Sequence, residues 1–131
     1  MRAAPPLAYI YDRCATANLA MLEMRLSLVD EYVTERGWCS GGRFIDYGDD
    51  ALTNDRRPQF DALVREMEAA PARADRLCLL YDWGRLSHDS EHRQVFARRV
   101  LVAGGRLETI EGEVVMTGDL NGRLTSGPVV A

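Results

Sequence analysis

Leu77-Cys78-Leu79-Leu80-Tyr81 is an uninterrupted apolar run. A strand wetted on one face alternates apolar and polar residues, whereas a strand of a parallel sheet, covered on both faces, does not. The run therefore predicts a central strand with helices on either side. Upstream, Leu7 to Tyr11 follows Pro5-Pro6 and reads as a buried strand, and Arg43 to Ile45 reads as a second strand ending at Asp46. Downstream, Arg106 to Ile110 reads as a fourth. Three helices fill the gaps. Leu19, Leu22, Leu26, Val29 and Val33 form one apolar stripe that Gly37 terminates, leaving Glu23, Arg25, Asp30 and Glu31 facing mostly outward. Pro58 opens the next helix, buried through Phe60, Leu63, Val64 and Met67, and Pro71 ends it. Ser87 or Asp89 caps the last, packed through Val95, Phe96, Val100 and Leu101 and closed by Gly104-Gly105.

The resulting order β-α-β-α-β-α-β, joined by right-handed crossovers, predicts an α/β fold. It is a three-layer domain with a mainly parallel four-to-five-stranded sheet and helices on both faces. Ligands of such sheets sit beyond the carboxyl ends of the strands. Gly48 to Arg57 is a polar loop at that end. In the tail, Val114–Met116 and Arg123–Val130 read as a hairpin around Asn121-Gly122, with Pro128 confining it to an edge.

Composition narrows the class of protein. A chain of 131 residues, 47% hydrophobic and 27% charged, fits one globular domain spanning 1–131. No apolar run approaches the roughly 18 residues of a membrane span, and Met-Arg-Ala-Ala-Pro-Pro lacks a secretory signal, so a cytoplasmic location and no membrane partner are expected. Cys14, Cys39 and Cys78 are too few and too scattered for a disulfide framework and read as buried thiols. All 16 basic residues are arginine, read as coding bias, and the net charge of −4 predicts weak DNA binding unless arginines cluster locally or a partner supplies it. Trp38, Trp83 and Tyr47 read as packing residues rather than base-stacking platforms.

Several motifs together carry a family resemblance. Ile10-Tyr11-Asp12-Arg13-Cys14-Ala15-Thr16 resembles the Tyr-x-Arg-Val-Ser-Thr opening of resolvases and DNA invertases. Phe44-Ile45-Asp46 resembles their second strand, and Arg57-Pro58 the start of the helix that follows. The run Leu79 to Asp89, with Asp82-Trp83-Gly84-Arg85-Leu86-Ser87-His88 at its centre, resembles their Leu-Asp-Arg-Leu-x-Arg-Asp loop, and Gly122-Arg123-Leu124 faintly echoes the start of their dimerisation helix. The chain thus resembles the catalytic domain of serine recombinases over about residues 7–112, with a divergent tail at 113–131 and no helix-turn-helix reader.

That resemblance implies a chemistry and a loss. In the family a serine hydroxyl attacks a DNA phosphodiester while arginines hold its oxygens. Carried over by position, Arg13, Arg57 and Arg85 are the phosphate-binding candidates, and Asp46 is the carboxylate that organises them. Ala15 stands where the nucleophile belongs, Gly84 where an aspartate belongs, and His88 where a second arginine belongs. No catalytic set is intact. Cys14 and Thr16 are poor substitutes, because neighbours along a strand point to opposite faces.

The resemblance therefore implies an inactive recombinase-like module that acts through a protein partner or by self-association, as a homo-oligomer or in a mixed assembly, with a possible tie to DNA recombination. Glu113 to Val130, with Val114, Val115, Val129 and Val130, is its candidate contact region. Two alternatives stay open: a recombinase or nickase with another nucleophile, and a module whose arginines hold a phosphate or nucleotide. The arginines could equally be a salt-bridged remnant paired with Asp46, Asp12 or Asp82. His88-Asp89-Ser90-Glu91-His92 also spells H-x-x-E-H, a zinc pattern that would need a third ligand from Glu108, Glu111 or Glu113. It is disfavoured, and neither a metal nor any other cofactor is expected.

Overall fold

A computed structural model describes residues 4–15, 18–48, 51 and 56–120. Its elements in chain order are β1 (Leu7–Cys14), α1 (Leu19–Arg36), β2 (Cys39–Tyr47), α2 (Pro58–Ala69), β3 (Arg76–Leu80), α3 (Ser90–Val102), β4 (Arg106–Thr109) and β5 (Val114–Val115). The sheet runs in the order β2-β1-β3-β4-β5. The first four strands are parallel and β5 is antiparallel to β4. This is the expected three-layer α/β fold with a mainly parallel sheet.

Alternation along β1 assigns the two faces. Ala8, Ile10 and Cys14 join Leu77 and Leu79 of β3 in a core closed by α1 through Leu22, Leu26, Val29 and Val33. Tyr9 and Tyr11 join Cys78 and Leu80 in the opposite core, closed by α2 and α3. β3, buried at every residue, sits between both layers as its composition requires. Its Cys78 thiol is pushed up by burial and stays protonated.

Local chemistry explains the element boundaries. Gly37 takes φ +70 after α1, and the N–H groups of Gly37 and Trp38 donate to Thr34 and Val33, the paired bonds of a Schellman cap. β2 carries one extra residue opposite Ala8/Tyr9. A Cβ at Gly41 would lie 2.8 Å from the Tyr9 ring, so this bulge needs glycine. α2 begins at Pro58 as expected. At its other end the buried Arg76 guanidinium donates to the carbonyls of Met67, Pro71 and Ala74, satisfying acceptors that a helix terminus leaves open.

Several expectations need correction. β2 is nine residues long rather than three, since a bulged, glycine-bearing edge strand has little apolar pattern. Val114 and Val115 pair back onto Glu108 and Leu107 across a turn at 110–113, so this hairpin is made with β4; the proposed turn at Asn121-Gly122 lies outside the described residues. Leu19 is exposed because it is the first residue of α1, Val95 because it falls off the buried arc of α3, and Cys39 lies exposed on the edge strand. Tyr47 is also exposed, whereas Trp83 is buried. Arg25, assigned to the solvent face, is buried on α1 against Asp12.

Candidate functional site

Three parallel strands end at one edge, and the residues singled out from the sequence gather there. Asp12 and Arg13 are consecutive on β1 and so project to opposite faces. Asp12 turns toward α1 and accepts both arms of the Arg25 guanidinium at 2.8 Å. Arg13 turns toward the loop after β3, where its Nε donates to the Gly84 carbonyl at 2.8 Å and its Nη1 to the Ala51 carbonyl at 3.0 Å.

Arg85 comes from the single 3-10 turn Trp83–Arg85. It donates to the Arg13 carbonyl at 2.9 Å, and lies 3.4 Å from Asp12 and 3.3 Å from Asp82. Arg13 and Arg85 together with Ala15, Ala51 and His88 line a cleft of about 140 Å³. Arg13 is held by backbone carbonyls and Arg85 by the Arg13 carbonyl together with Asp12 and Asp82, beside the methyl groups of Ala15 and Ala51.

Arg57 belongs to a layer beneath. It is buried, donates to the Tyr11 hydroxyl at 3.2 Å and lies over the Phe96 ring at 4.7 Å. Asp46, also buried, is engaged by Tyr11 Oη at 2.8 Å and by the N–H groups of Gln59 and Phe60. It therefore caps α2 from the end of β2, and through Tyr11 it fixes Arg57 behind the cleft. Burial raises the Tyr11 pKa far enough that the hydroxyl remains a donor.

Gly84 and His88 are in contact. A Cβ at Gly84 would lie 3.2 Å from Asp82 Oδ1 and 3.4 Å from the His88 ring, so a larger side chain there would displace one of them. Burial and crowding of positive charge both disfavour protonation at the site. Burial first, then Arg57 and Arg85, pushes Arg13 down to about 10, still charged at neutral pH. Arg13 is in turn the main cause of a lowered His88 pKa.

The zinc pattern is not assembled on one helix face. α3 begins at Ser90, after His88. His92 sits 3.1 Å from Asp89, whereas His88 lines the arginine cleft. Glu108 accepts from Tyr32 and Glu113 from the Trp83 indole. Among the described residues no group of three or more His, Cys, Asp or Glu is placed to hold a metal ion. Asp89 caps α3 instead, accepting from the N–H groups of Glu91 and His92.

The sequence marks Asp12 and Asp82 as salt-bridge partners for the arginines, and both lie beside Arg85, but it gives no such role to Arg25 or Ala51. A signal for Arg25 was present, because position 25 follows Leu22 by three and precedes Val29 by four, placing it on the buried arc. Thr16 lies outside the described residues.

The fold is that of resolvase-type recombinase catalytic domains. The chain is similar to the N-terminal catalytic domain of TP901-1 integrase, with a TM-score of 0.70 and 19% identity over 91% of this chain and 88% of that one. It is also similar to a resolvase family site-specific recombinase from Streptococcus pneumoniae, with a TM-score of 0.65 and 16% identity over 81% of this chain and 72% of that one. No protein-family model matches the chain, and no curated protein does. Among the described residues no helix is long and apolar enough to cross a membrane.

Proposed function

We propose that this chain is a serine-recombinase-like domain without strand-cleavage chemistry, working by association with a protein partner or with its own copies in a process tied to DNA recombination. The observation that carries this reading is Ala15. By its place after Arg13 it holds the position of the family's serine, and it lines the cleft between Arg13, Arg85 and His88 with a methyl group that has no lone pair to attack phosphorus. Cys14 is no replacement: it is buried and its thiol faces the carbonyls of Ala15 and Asn18. The crowding around Gly84 supports a second lesion, because restoring an acidic side chain there would place it against Asp82.

A second reading is favoured by Arg13, whose described hydrogen bonds go to carbonyl oxygens rather than to a carboxylate. Its charge, with that of Arg85, suits a phosphate group. Binding confined to the folded state would raise the melting temperature in millimolar inorganic phosphate or nucleotide, relative to equal ionic strength of chloride.

The test of the main reading is covalent adduct formation with duplex DNA carrying recombination sites, for this chain, its Ala15→Ser variant and an authentic resolvase. The expected result is adduct from the resolvase alone, since Gly84 and His88 also depart from the active pattern. Adduct from the unmodified chain would overturn the proposal.

A further inference from the structure

α1 carries two seams. Leu22, Leu26, Val29 and Val33 are buried against the sheet. A second set, Met21, Met24, Leu28, Glu31 and Glu35, follows the same alternation of three and four residues but lies in solvent, with Met21 44%, Met24 38% and Leu28 38% exposed. Positions so spaced face one neighbour along a helix, the pattern by which one helix receives another. An amphipathic surface helix should be polar there.

The second seam borders a hollow. Leu28 lines a space of about 370 Å³ with Tyr81, Asp82, Ile110 and Glu111, at the carboxyl ends of β3 and β4. Tyr81 and Ile110 are only partly buried against the α1-side core. α1 is the single described helix on this face, whereas α2 and α3 share the other. Of the seam residues Leu28 alone lines this hollow, facing Asp82 and Glu111 across it, while Met21 and Met24 extend the exposed apolar stripe along α1 and Glu31 and Glu35 continue it toward the helix end. The nearby Arg25 is buried and neutralised by Asp12.

We propose that this exposed seam, with the hollow beside Leu28, forms a groove for a basic amphipathic helix of a protein partner, with apolar side chains against Met21, Met24 and Leu28 and lysines or arginines against Glu31 and Glu35. The proposal rests on the reading of the chain as an interaction module and names the kind of partner. Charge selects this occupant over a second copy of α1, whose own seam would bring glutamates onto glutamates or leave them facing methionines.

The probes are two synthetic helical peptides with leucines at the first seam positions, one continuing with lysines and the other with glutamates. Binding to the full chain is followed by methyl and amide NMR. The lysine peptide should bind at least tenfold more tightly than the glutamate peptide, weaken with salt, and shift the methyl signals of Met21, Met24 and Leu28. Leu28→Arg should abolish binding while Val102→Ser, an exposed site elsewhere, should not. The double change Glu31→Lys, Glu35→Lys should invert the preference between peptides. Equal binding of both peptides, shifts elsewhere, or a seam already covered in the free chain by self-association or by residues after 120 would overturn it. Adduct formation in the cleavage assay with this charge preference intact would sink the non-catalytic reading and leave the groove standing. Loss of the preference without adduct would sink the groove alone.

Discussion

Among the described residues Arg13 and Arg85 share their cleft with the methyl groups of Ala15 and Ala51 and with the His88 ring, so the neighbouring charges act chiefly on His88. Its pKa is lowered chiefly by Arg13, with burial and Arg85 adding to the effect. The sign follows from proton linkage. The unfolded chain takes up the proton near pH 6.5 before the folded one does, so His88 contributes nothing above neutrality and destabilises the fold as pH falls through its lowered value. We expect the His88 ring signal to titrate below 6.5 in an NMR pH series, and to move upward in Arg13→Gln. A midpoint unmoved by Arg13→Gln would show that the cleft is not cationic as described. The same series repeated with inorganic phosphate should also raise the midpoint if an anion enters between the arginines.

At the scale of the element, caps fix where the site loops begin and end. Asp46 anchors the start of α2 and Asp89 the start of α3, so both helices are set by carboxylates near the strand edge. Asp89→Ala removes an N-cap and is expected to lower the urea midpoint of unfolding, with Glu91→Ala, the second residue of the helix, lowering it less. Equal shifts would mean that the cap bond is not formed. These elements were legible to different degrees for physical reasons. β3 and the buried arcs of α1 and α2 announce themselves because burial on a fixed period leaves a pattern in the sequence. β2 does not, since its identity depends on a bulge and on glycines fitted to the Tyr9 ring. The site shows the same division. Arg13, Ala15, Arg85 and His88 could be found by motif order and do share a cleft. The burial of Arg57 and the pairing of Arg25 with Asp12 arise from tertiary contact, and Arg25 was assigned to solvent because a charge was read as a surface marker.

For the molecule as a whole, the two faces of the sheet differ in cover. The α2/α3 face holds the larger core, including the Phe60–Phe96 and Tyr11–Phe60 edge contacts. Val115 belongs to that core while Val114 beside it is only partly buried, and Val129 and Val130 of the 113–130 region lie outside the described residues. The exposed apolar residues concentrate instead along α1, on the less covered face. A net charge of −4 opposes nonspecific adherence to duplex DNA, where affinity comes from several basic contacts, so phosphate contact by the chain itself needs a local arginine cluster. The central claim is that a recombinase fold is retained here without its cleavage chemistry. Incubation of the unmodified chain with supercoiled plasmid carrying recombination sites tests it most directly: the account predicts that the plasmid stays supercoiled at every protein concentration, whereas nicked or relaxed circles that vanish in Arg13→Gln would contradict it.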